Sequence, residues 1–201
     1  MTTPQNRGRY PGFDVLEQAD HWDEATRKVV LDRVHNVPPI RFFDADEIPV
    51  LRTFCDTVLA QDCEPRVPVL EMIDAKLHAG QHDGFRYAGM PPDGEVFKLV
   101  ARGLGDEFVR APREQRVATL TAMSKGELDW DFLDPGKAWK VCMRIALGVF
   151  YSHPWAWNEI GFPGPAYPRG YSRLGIGLSE TWEADPAPQR DHDPVKENIG
   201  P

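Results

Sequence analysis

The sequence predicts an all-α protein: a single helical domain of five or six helices that continues into a long irregular C-terminal segment rich in proline, glycine and aromatic residues. Apolar residues recur at three- and four-residue spacing in several stretches, which is the pattern of amphipathic helices. Capping residues, prolines and glycines bound these stretches. The sequence has no convincing alternation of apolar and polar residues between hairpin turns. Its 201 residues are 41% hydrophobic and 27% charged, an ordinary globular balance and enough chain for one domain.

The first two predicted helices lie in the N-terminal third of the chain. "DEATRKVVLDRVH" has Asp23 as its N-cap and ends before the paired prolines of "NVPPIRFF", which cannot continue a helix. The second helix follows a capping-box pattern, with Asp44 as the cap and Glu47 three residues later. Its apolar residues fall at helical spacing: Ile48, Leu51, Cys55, Val58 and Leu59.

Three more helices are predicted before residue 127. "VPVLEMIDAKLHAG" has an apolar face and ends at Gly80. Pro112 opens a later helix that stops at Gly126. Between these two, an apolar stripe at helical spacing marks a further helix: Phe97, Val100, Leu104 and Phe108.

The clearest helix is "DPGKAWKVCMRIALGVFY". Asp134 is its predicted cap, and Pro135 takes the first helical position. Its charged residues lie on one narrow stripe: Lys137, Lys140 and Arg144. The remaining surface is apolar nearly all round, which is typical of a helix wrapped by others. We therefore expect this helix at the centre of the domain.

Residues 150–171 read "FYSHPWAWNEIGFPGPAYPRGY", and we call residues 150–178 the belt. Its density of prolines predicts extended or turn backbone without room for a helix. Aromatic side chains in such a segment must lie against something. One interpretation is that the belt packs over the chain's own helices. The other is that part of it lies on another protein, because Trp, Tyr and Arg are the residues that anchor interfaces.

Charge and composition exclude several classes of protein. The net charge is −8, and the sequence has no basic stripe of the kind that a nucleic-acid partner requires. No apolar run approaches the ~20 residues that span a bilayer. The N-terminal "MTTPQNRGRYPGF" has neither a hydrophobic signal segment nor a twin-arginine pair, so we expect a cytoplasmic protein. Three cysteines without a C-x-x-C motif indicate buried thiols rather than a disulfide framework.

Each candidate for catalysis or metal binding has a simpler interpretation. His78 and His82 have metal-ligand spacing, but Gly80 lies between them. Ser152 and His153 are neighbours without a G-x-S-x-G motif, so a hydrogen bond at the turn into Pro154 is the expected role of His153. "GLGDEF" is an incomplete dinucleotide fingerprint, and "RDHDP" near the C-terminus is solubilising charge. We predict no catalytic, cofactor-binding or metal-binding residue in this chain.

The order of segments resembles the gluconate 2-dehydrogenase subunit 3 family. The resemblance covers roughly residues 38–178 and is most specific in "YSHP" and "IGFPGPAYPRGY". It implies a helical small subunit that has no cofactor or catalysis of its own. Its partner would be a large FAD-containing subunit of the glucose–methanol–choline type, oxidising a sugar, glycoside or polyol in a hetero-oligomer. Many members carry a twin-arginine leader, which residues 1–37 lack, so the expected role is that of a cytoplasmic stabilising subunit, with export together with the partner as the open alternative.

These expectations assign roles within the chain. Residues 1–12 and 183–201 are expected to be flexible tails around a domain at residues 13–182. His153 and Asn158 are expected to bond the backbone of the belt. The predicted partner-binding residues are Trp155, Trp157, Tyr167, Arg169 and Tyr171. The alternative is a self-sufficient enzyme that uses His153, Asn158, Glu159 and Tyr167.

Overall fold

The computed structural model describes residues 10, 12–62, 64–82, 84–173, 175 and 178–184. Helices are the regular structure formed by these residues, so the predicted all-α class is confirmed. A 3₁₀ helix, Val15–His21, precedes seven α-helices. They are α1 Glu24–His35, α2 Glu47–Val58, α3 Val69–His78, α4 Asp93–Arg110, α5 Arg113–Lys125, α6 Pro135–Phe150 and α7 Pro154–Ile160. Most of the two predicted tails, and the "RDHDP" stretch, lie outside the described residues.

The six helices expected from the sequence correspond to α1–α6, and the 3₁₀ helix and α7 are additional. α7 shows that the prediction of a belt without room for a helix is wrong. Pro154 is the first residue of α7, where its missing N–H is not needed, and no proline follows before Pro163. Gly161, in the left-handed conformation with φ 67°, ends the helix.

The chain divides into two units. The helical unit consists of Val37–Glu64 and Pro68–Phe150, apart from the two residues that are not described, and it contains α2–α6. The terminal unit consists of the described residues up to Asn36, Pro65–Val67 and those from Tyr151 onward. It contains the 3₁₀ helix, α1 and α7, together with most of the belt.

α6 lies at the centre of the helical unit, as its sequence predicts. It packs against α3, α4 and α5, while α2 packs against the same three helices. The Asp134 carboxylate accepts a hydrogen bond from the Lys137 N–H at 2.9 Å, which caps the helix before Pro135. The buried residues of α6 are Pro135, Ala138, Val141, Cys142, Ile145, Ala146, Val149 and Phe150.

Ile145→Ala is expected to lower the free energy of unfolding by about 2–5 kcal/mol, because it leaves a cavity at a core position. Ile145 is only 2% exposed. Lys140→Ala, at an exposed position on the same helix, should change the stability little. Trp139 is only partly buried, so Trp139→Ala should cost less than the loss of a fully buried tryptophan. Urea unfolding measures all three, and equal small losses would contradict the central position of α6.

The carboxylate of Asp74 holds the segment that leads into α2. Asp74 lies on α3 and is fully buried, with 0% exposure. Its Oδ1 accepts a hydrogen bond from the Arg41 N–H at 2.7 Å, and its Oδ2 accepts bonds from the Phe42 and Phe43 N–H groups at 2.8 and 2.9 Å. Three N–H donors compensate for removing this charge from water. Asp74 therefore joins α3 to the "RFF" segment.

The start of α2 realises only half of the predicted capping box. The Glu47 carboxylate accepts a hydrogen bond from the Asp44 N–H at 2.9 Å, as that motif requires. The cap position, however, is Asp46, whose side chain makes no capping bond. The Asp44 carbonyl instead accepts hydrogen bonds from the Glu47 and Ile48 N–H groups. Asp44 thus begins the turn that leads into α2 and lies two residues before the cap position. The prediction that Asp44 is the cap is wrong.

The "GLGDEF" stretch lies within α4, where its glycines have structural roles. Gly105 has φ 62° and ψ −176°, a conformation open essentially only to glycine, and it interrupts the helix. A Cβ at Gly103 would lie 2.5 Å from an atom of the Trp130 ring. The predicted apolar stripe of α4 is buried throughout: Phe97, Val100, Leu104 and Phe108. Close packing and a helix break therefore explain these two glycines.

Candidate partner-binding surface

The first part of the belt packs on the chain's own N-terminal segment. Trp157 of α7 is 6% exposed and belongs to a buried cluster with Val15, Trp22 and Val30. Its indole N–H donates a hydrogen bond to the Tyr151 carbonyl at 2.6 Å, so the polar atom of the ring is paired. For this part of the belt, the interpretation of packing on the chain's own residues is therefore the one that the structure supports.

Asn158 connects α7 to the start of the 3₁₀ helix. Its Oδ1 accepts a hydrogen bond from the Val15 N–H at 2.8 Å, and its Nδ2 donates to the Asp14 carboxylate at 3.2 Å. Asp14 in turn caps the 3₁₀ helix by accepting from the Leu16 N–H. Asn158 thus bonds the backbone of the N-terminal segment rather than that of the belt, which corrects the expected role. A contact across 143 positions leaves no local sequence signal.

His153 caps α7 from inside the protein. It is fully buried, and its Nδ1 accepts a hydrogen bond from the Trp155 N–H at 3.2 Å, which confirms the expected structural hydrogen bond. Since Nδ1 is the acceptor, the ring proton lies on Nε2. Burial lowers the pKa of His153 from 6.5 to about 4, so the ring is neutral at pH 7. The preceding Ser152 carbonyl accepts a hydrogen bond from Arg33 at 2.7 Å, which holds the same turn.

Acid is expected to destabilise the protein through His153. Because burial lowers the pKa of His153 to about 4 from an unfolded value of 6.5, the unfolded chain binds the additional proton between these pH values. The contribution of His153 is therefore complete above about pH 6.5 and is lost as the pH falls towards 4. Lowering the pH from 7 to 5 should lower the free energy of unfolding by about 2 kcal/mol.

Urea unfolding at a series of pH values tests this expectation. His153→Asn keeps a side chain that can cap a helix but removes the titrating ring, so the variant should lose stability less steeply between pH 7 and pH 5. His78→Gln removes an exposed histidine and serves as the matched control. A pH dependence of His153→Asn as steep as that of the unchanged protein would show that another group is responsible.

The predicted partner-binding residues differ in their exposure. Tyr167 and Tyr171 are 66% and 50% exposed, while Trp157 is withdrawn from the surface. Trp155 is partly buried, and the centroid of its ring lies 4.9 Å from that of His153. The belt also exposes large apolar residues that sequence reasoning did not select: Ile160, Phe162 and Leu178. The partner-binding role of the five residues stays a prediction.

Arg169, the remaining predicted residue, contacts Gln18 in the N-terminal segment and Trp182 near the end of the described chain. Its Nη1 donates a hydrogen bond to Gln18 Oε1 at 2.9 Å. Its guanidinium lies over the Trp182 ring, 4.1 Å from the centroid, and Trp182 also packs beside Tyr171. Nε and Nη2 of Arg169 are shielded from water and have no hydrogen-bond partner among the described residues. Sequence reasoning missed both contacts of Arg169. Gln18 lies 151 positions away, and no motif links Trp182 to Arg169.

The other reactive groups are buried or dispersed. Cys55 and Cys142 are free thiols, and burial raises the pKa of both, so they remain protonated. His78 and His82 are exposed, and among the described residues no three His, Cys, Asp or Glu side chains are grouped as a metal would require. No helix in the described part of the chain has the length and apolar character needed to cross a membrane.

These features define a small helical protein whose exposed aromatic side chains are suited to protein contact. The chain belongs to the gluconate 2-dehydrogenase subunit 3 family, which it matches over residues 45–164, more than half of its length. The resemblance inferred from the sequence is thereby confirmed, and the family's description is that of a dehydrogenase subunit. No curated protein and no solved structure matches the chain. The match covers α2–α7 and ends at Gly164, before Tyr167, Arg169 and Tyr171.

Proposed function

We propose that this chain is the non-catalytic small subunit of a hetero-oligomeric dehydrogenase. It binds a large FAD-dependent subunit of the glucose–methanol–choline type and stabilises it or helps it to mature. The large subunit holds the FAD and oxidises a sugar, a glycoside or a polyol. Membership of the gluconate 2-dehydrogenase subunit 3 family carries this proposal, because the family is described as a subunit of a dehydrogenase.

The exposed part of the belt supports a role in binding. Tyr167 is 66% exposed and Tyr171 is 50% exposed, and tyrosine is enriched at protein interfaces because it combines a large apolar ring with a hydroxyl. Both have few torsions to restrict on binding, so an interface gains buried area at low entropic cost. We therefore assign the contact with the large subunit to the exposed Tyr167 and Tyr171, and keep Trp155 and Arg169 as candidates, rather than to the buried Trp157.

The contacts of the candidate catalytic groups support a role without chemistry. The acceptor nitrogen of His153 is occupied by a backbone N–H, and Asn158 is bonded to Val15 and Asp14. The buried thiols of Cys55 and Cys142 are protonated and therefore poor nucleophiles. Two free cysteines also agree with a reducing compartment, so we propose that the complex assembles in the cytoplasm.

Co-expression with a large FAD-dependent subunit tests the proposal, and the reading frames that neighbour this one are where that subunit should be sought first. We expect the two chains to co-purify, and we expect the soluble yield, FAD content and dye-linked activity of the flavoprotein to fall when this chain is omitted. The purified chain alone should be colourless and inactive. Turnover of a sugar or polyol by the isolated chain would instead favour the self-sufficient enzyme that uses His153, Asn158, Glu159 and Tyr167. Cell fractionation of the tagged complex checks the compartment.

A further inference from the structure

The guanidinium of Arg169 is held in one orientation, yet two of its three nitrogens form no hydrogen bond with the described residues. Gln18 holds Nη1, and Trp182 covers one face of the guanidinium, so the orientation of the group is fixed. Nε and Nη2 nevertheless form no hydrogen bond within the part of the chain that the structure describes, although both are shielded from water. A buried N–H of a charged group that lacks an acceptor costs free energy, and an acceptor that reaches it recovers that free energy.

The two unpaired atoms have the geometry of a carboxylate site. The Nε–H and one Nη2–H of an arginine point in parallel from the same edge of the planar guanidinium. This edge matches the two oxygens of a carboxylate, which accepts both hydrogen bonds at once. In Arg169 the opposite nitrogen, Nη1, is the one already bonded, so the edge that remains is the one that a carboxylate prefers.

We propose that Arg169 binds an Asp or Glu side chain of the large dehydrogenase subunit. This inference rests on the proposed function and names a specific contact within it. Tyr167 and Tyr171 lie two residues to either side of Arg169 and are exposed, so a protein that covers them also comes against Arg169. A protein carboxylate supplies the charge that complements the guanidinium, and burial of the tyrosines around it keeps water from competing.

The carboxylate reaches Arg169 through local rearrangement. Because Nε and Nη2 are shielded in the isolated chain, the side chains around them must shift when the partner docks. Changes of side-chain rotamer are common at interfaces whose backbone moves little. Trp182 is the described side chain that stacks on the guanidinium, so its fluorescence should report the change.

Variants of the co-expressed complex provide the first test. Arg169→Gln is expected to raise the Kd for the purified large subunit at least about tenfold, since it removes one member of a buried charged pair. Arg169→Lys keeps the charge but not the parallel N–H groups, so it should restore little of the affinity. Arg173→Gln is the matched control, because Arg173 is an exposed cation of the same segment that bonds the Ser179 carbonyl. Its Kd should stay within about twofold of the unchanged chain.

A second test uses the unchanged sequence, because Arg169→Gln also removes the contacts to Gln18 and Trp182. The chain is labelled with ¹⁵N at arginine, and the Nε–H signal of Arg169 is assigned by its disappearance in Arg169→Lys. Formation of a hydrogen bond to a carboxylate should move the Nε–H proton signal downfield when the large subunit is added. A role limited to holding Gln18 and Trp182 leaves this signal where it is in the isolated chain.

The outcomes separate this inference from the proposed function. Binding of the unchanged chain, weakening by Arg169→Gln and a downfield Nε–H signal together support the carboxylate contact. Binding that is equally tight for Arg169→Gln, or an Nε–H signal that does not move in the complex, overturns it and leaves the small-subunit role intact. Failure of the unchanged chain to bind the flavoprotein overturns both.

Discussion

Replacing Asp74 with alanine is expected to lower the free energy of unfolding of the helical unit by about 3–5 kcal/mol, because it removes three hydrogen bonds to a buried carboxylate and leaves their N–H donors without an acceptor. Asp74 is 0% exposed, and its two oxygens accept hydrogen bonds from three consecutive backbone N–H groups, at Arg41, Phe42 and Phe43. Without the carboxylate these donors lose their acceptors, and the Phe43 N–H is buried. The segment that leads into α2 should then loosen.

Urea unfolding at pH 7 measures the loss, and hydrogen exchange of the Phe43 amide shows where it arises. Asp74→Asn keeps the shape of the side chain but turns one acceptor into a donor that faces N–H groups, so an intermediate loss is expected. Asp106→Ala is the control, because Asp106 forms an exposed ion pair with Arg110 on α4. It should leave the urea midpoint nearly unchanged. An Asp74→Ala variant as stable as the control would show that the three hydrogen bonds contribute little.

The position of Asp74 in the sequence indicates that its carboxylate is buried, although a search for apolar residues alone passes over it. Leu70, Ile73 and Leu77 are buried on one face of α3, and Asp74 stands at the same helical spacing among them. A carboxylate on an apolar face needs donors, and this spacing predicts that some segment must supply them. Which segment supplies the donors was not predictable, since Phe43, Phe42 and Arg41 lie 31, 32 and 33 positions before Asp74.

Local chemistry explains why the other helices were predictable. The pair Asp134 and Pro135 marks the start of α6, and the left-handed Gly126 marks the end of α5. In α4, the stripe of apolar residues is visible in the sequence. α7 was missed because proline density was judged over the whole of residues 150–171, although eight residues separate Pro154 from Pro163. A seven-residue helix capped by His153 fits in that interval. Where prolines fall matters more than how many there are.

The belt illustrates what remains outside local sequence information. Both interpretations of its aromatic residues, packing on the chain itself or on a partner, agree with the composition. Exposure separates them residue by residue: Trp157 is 6% exposed and Tyr167 is 66% exposed. The difference arises because Trp157 lies on a face of α7 that packs against the 3₁₀ helix and α1. These two elements precede α7 by more than a hundred residues in the sequence. No pattern within the belt encodes that contact.

Trp157→Ala is therefore expected to destabilise the terminal unit by about 3–5 kcal/mol, the usual cost of truncating a buried tryptophan. The substitution removes the ring that packs with Val15, Trp22 and Val30, and it removes the hydrogen bond to the Tyr151 carbonyl. Gly164 packs closely against the same cluster, since a Cβ at this position would lie 2.9 Å from a ring atom of Trp22 and 3.0 Å from a methyl carbon of Val15. The melting temperature of the isolated chain should fall. Hydrogen exchange of the Val15 amide, whose N–H donates a hydrogen bond to Asn158 Oδ1, should become faster.

Tyr167→Ala provides the contrast that identifies which part of the belt is interface. Tyr167 is 66% exposed, so its loss should leave the melting temperature and the Val15 amide unchanged while weakening co-purification with the flavoprotein. Trp157→Ala can weaken co-purification only by unfolding the unit that carries the surface, so its folded fraction at low temperature should bind as the unchanged chain does. If Trp157→Ala left the melting temperature unchanged and abolished binding of the folded chain, Trp157 would be an interface residue, and its burial beside Val15 would belong to the isolated chain alone.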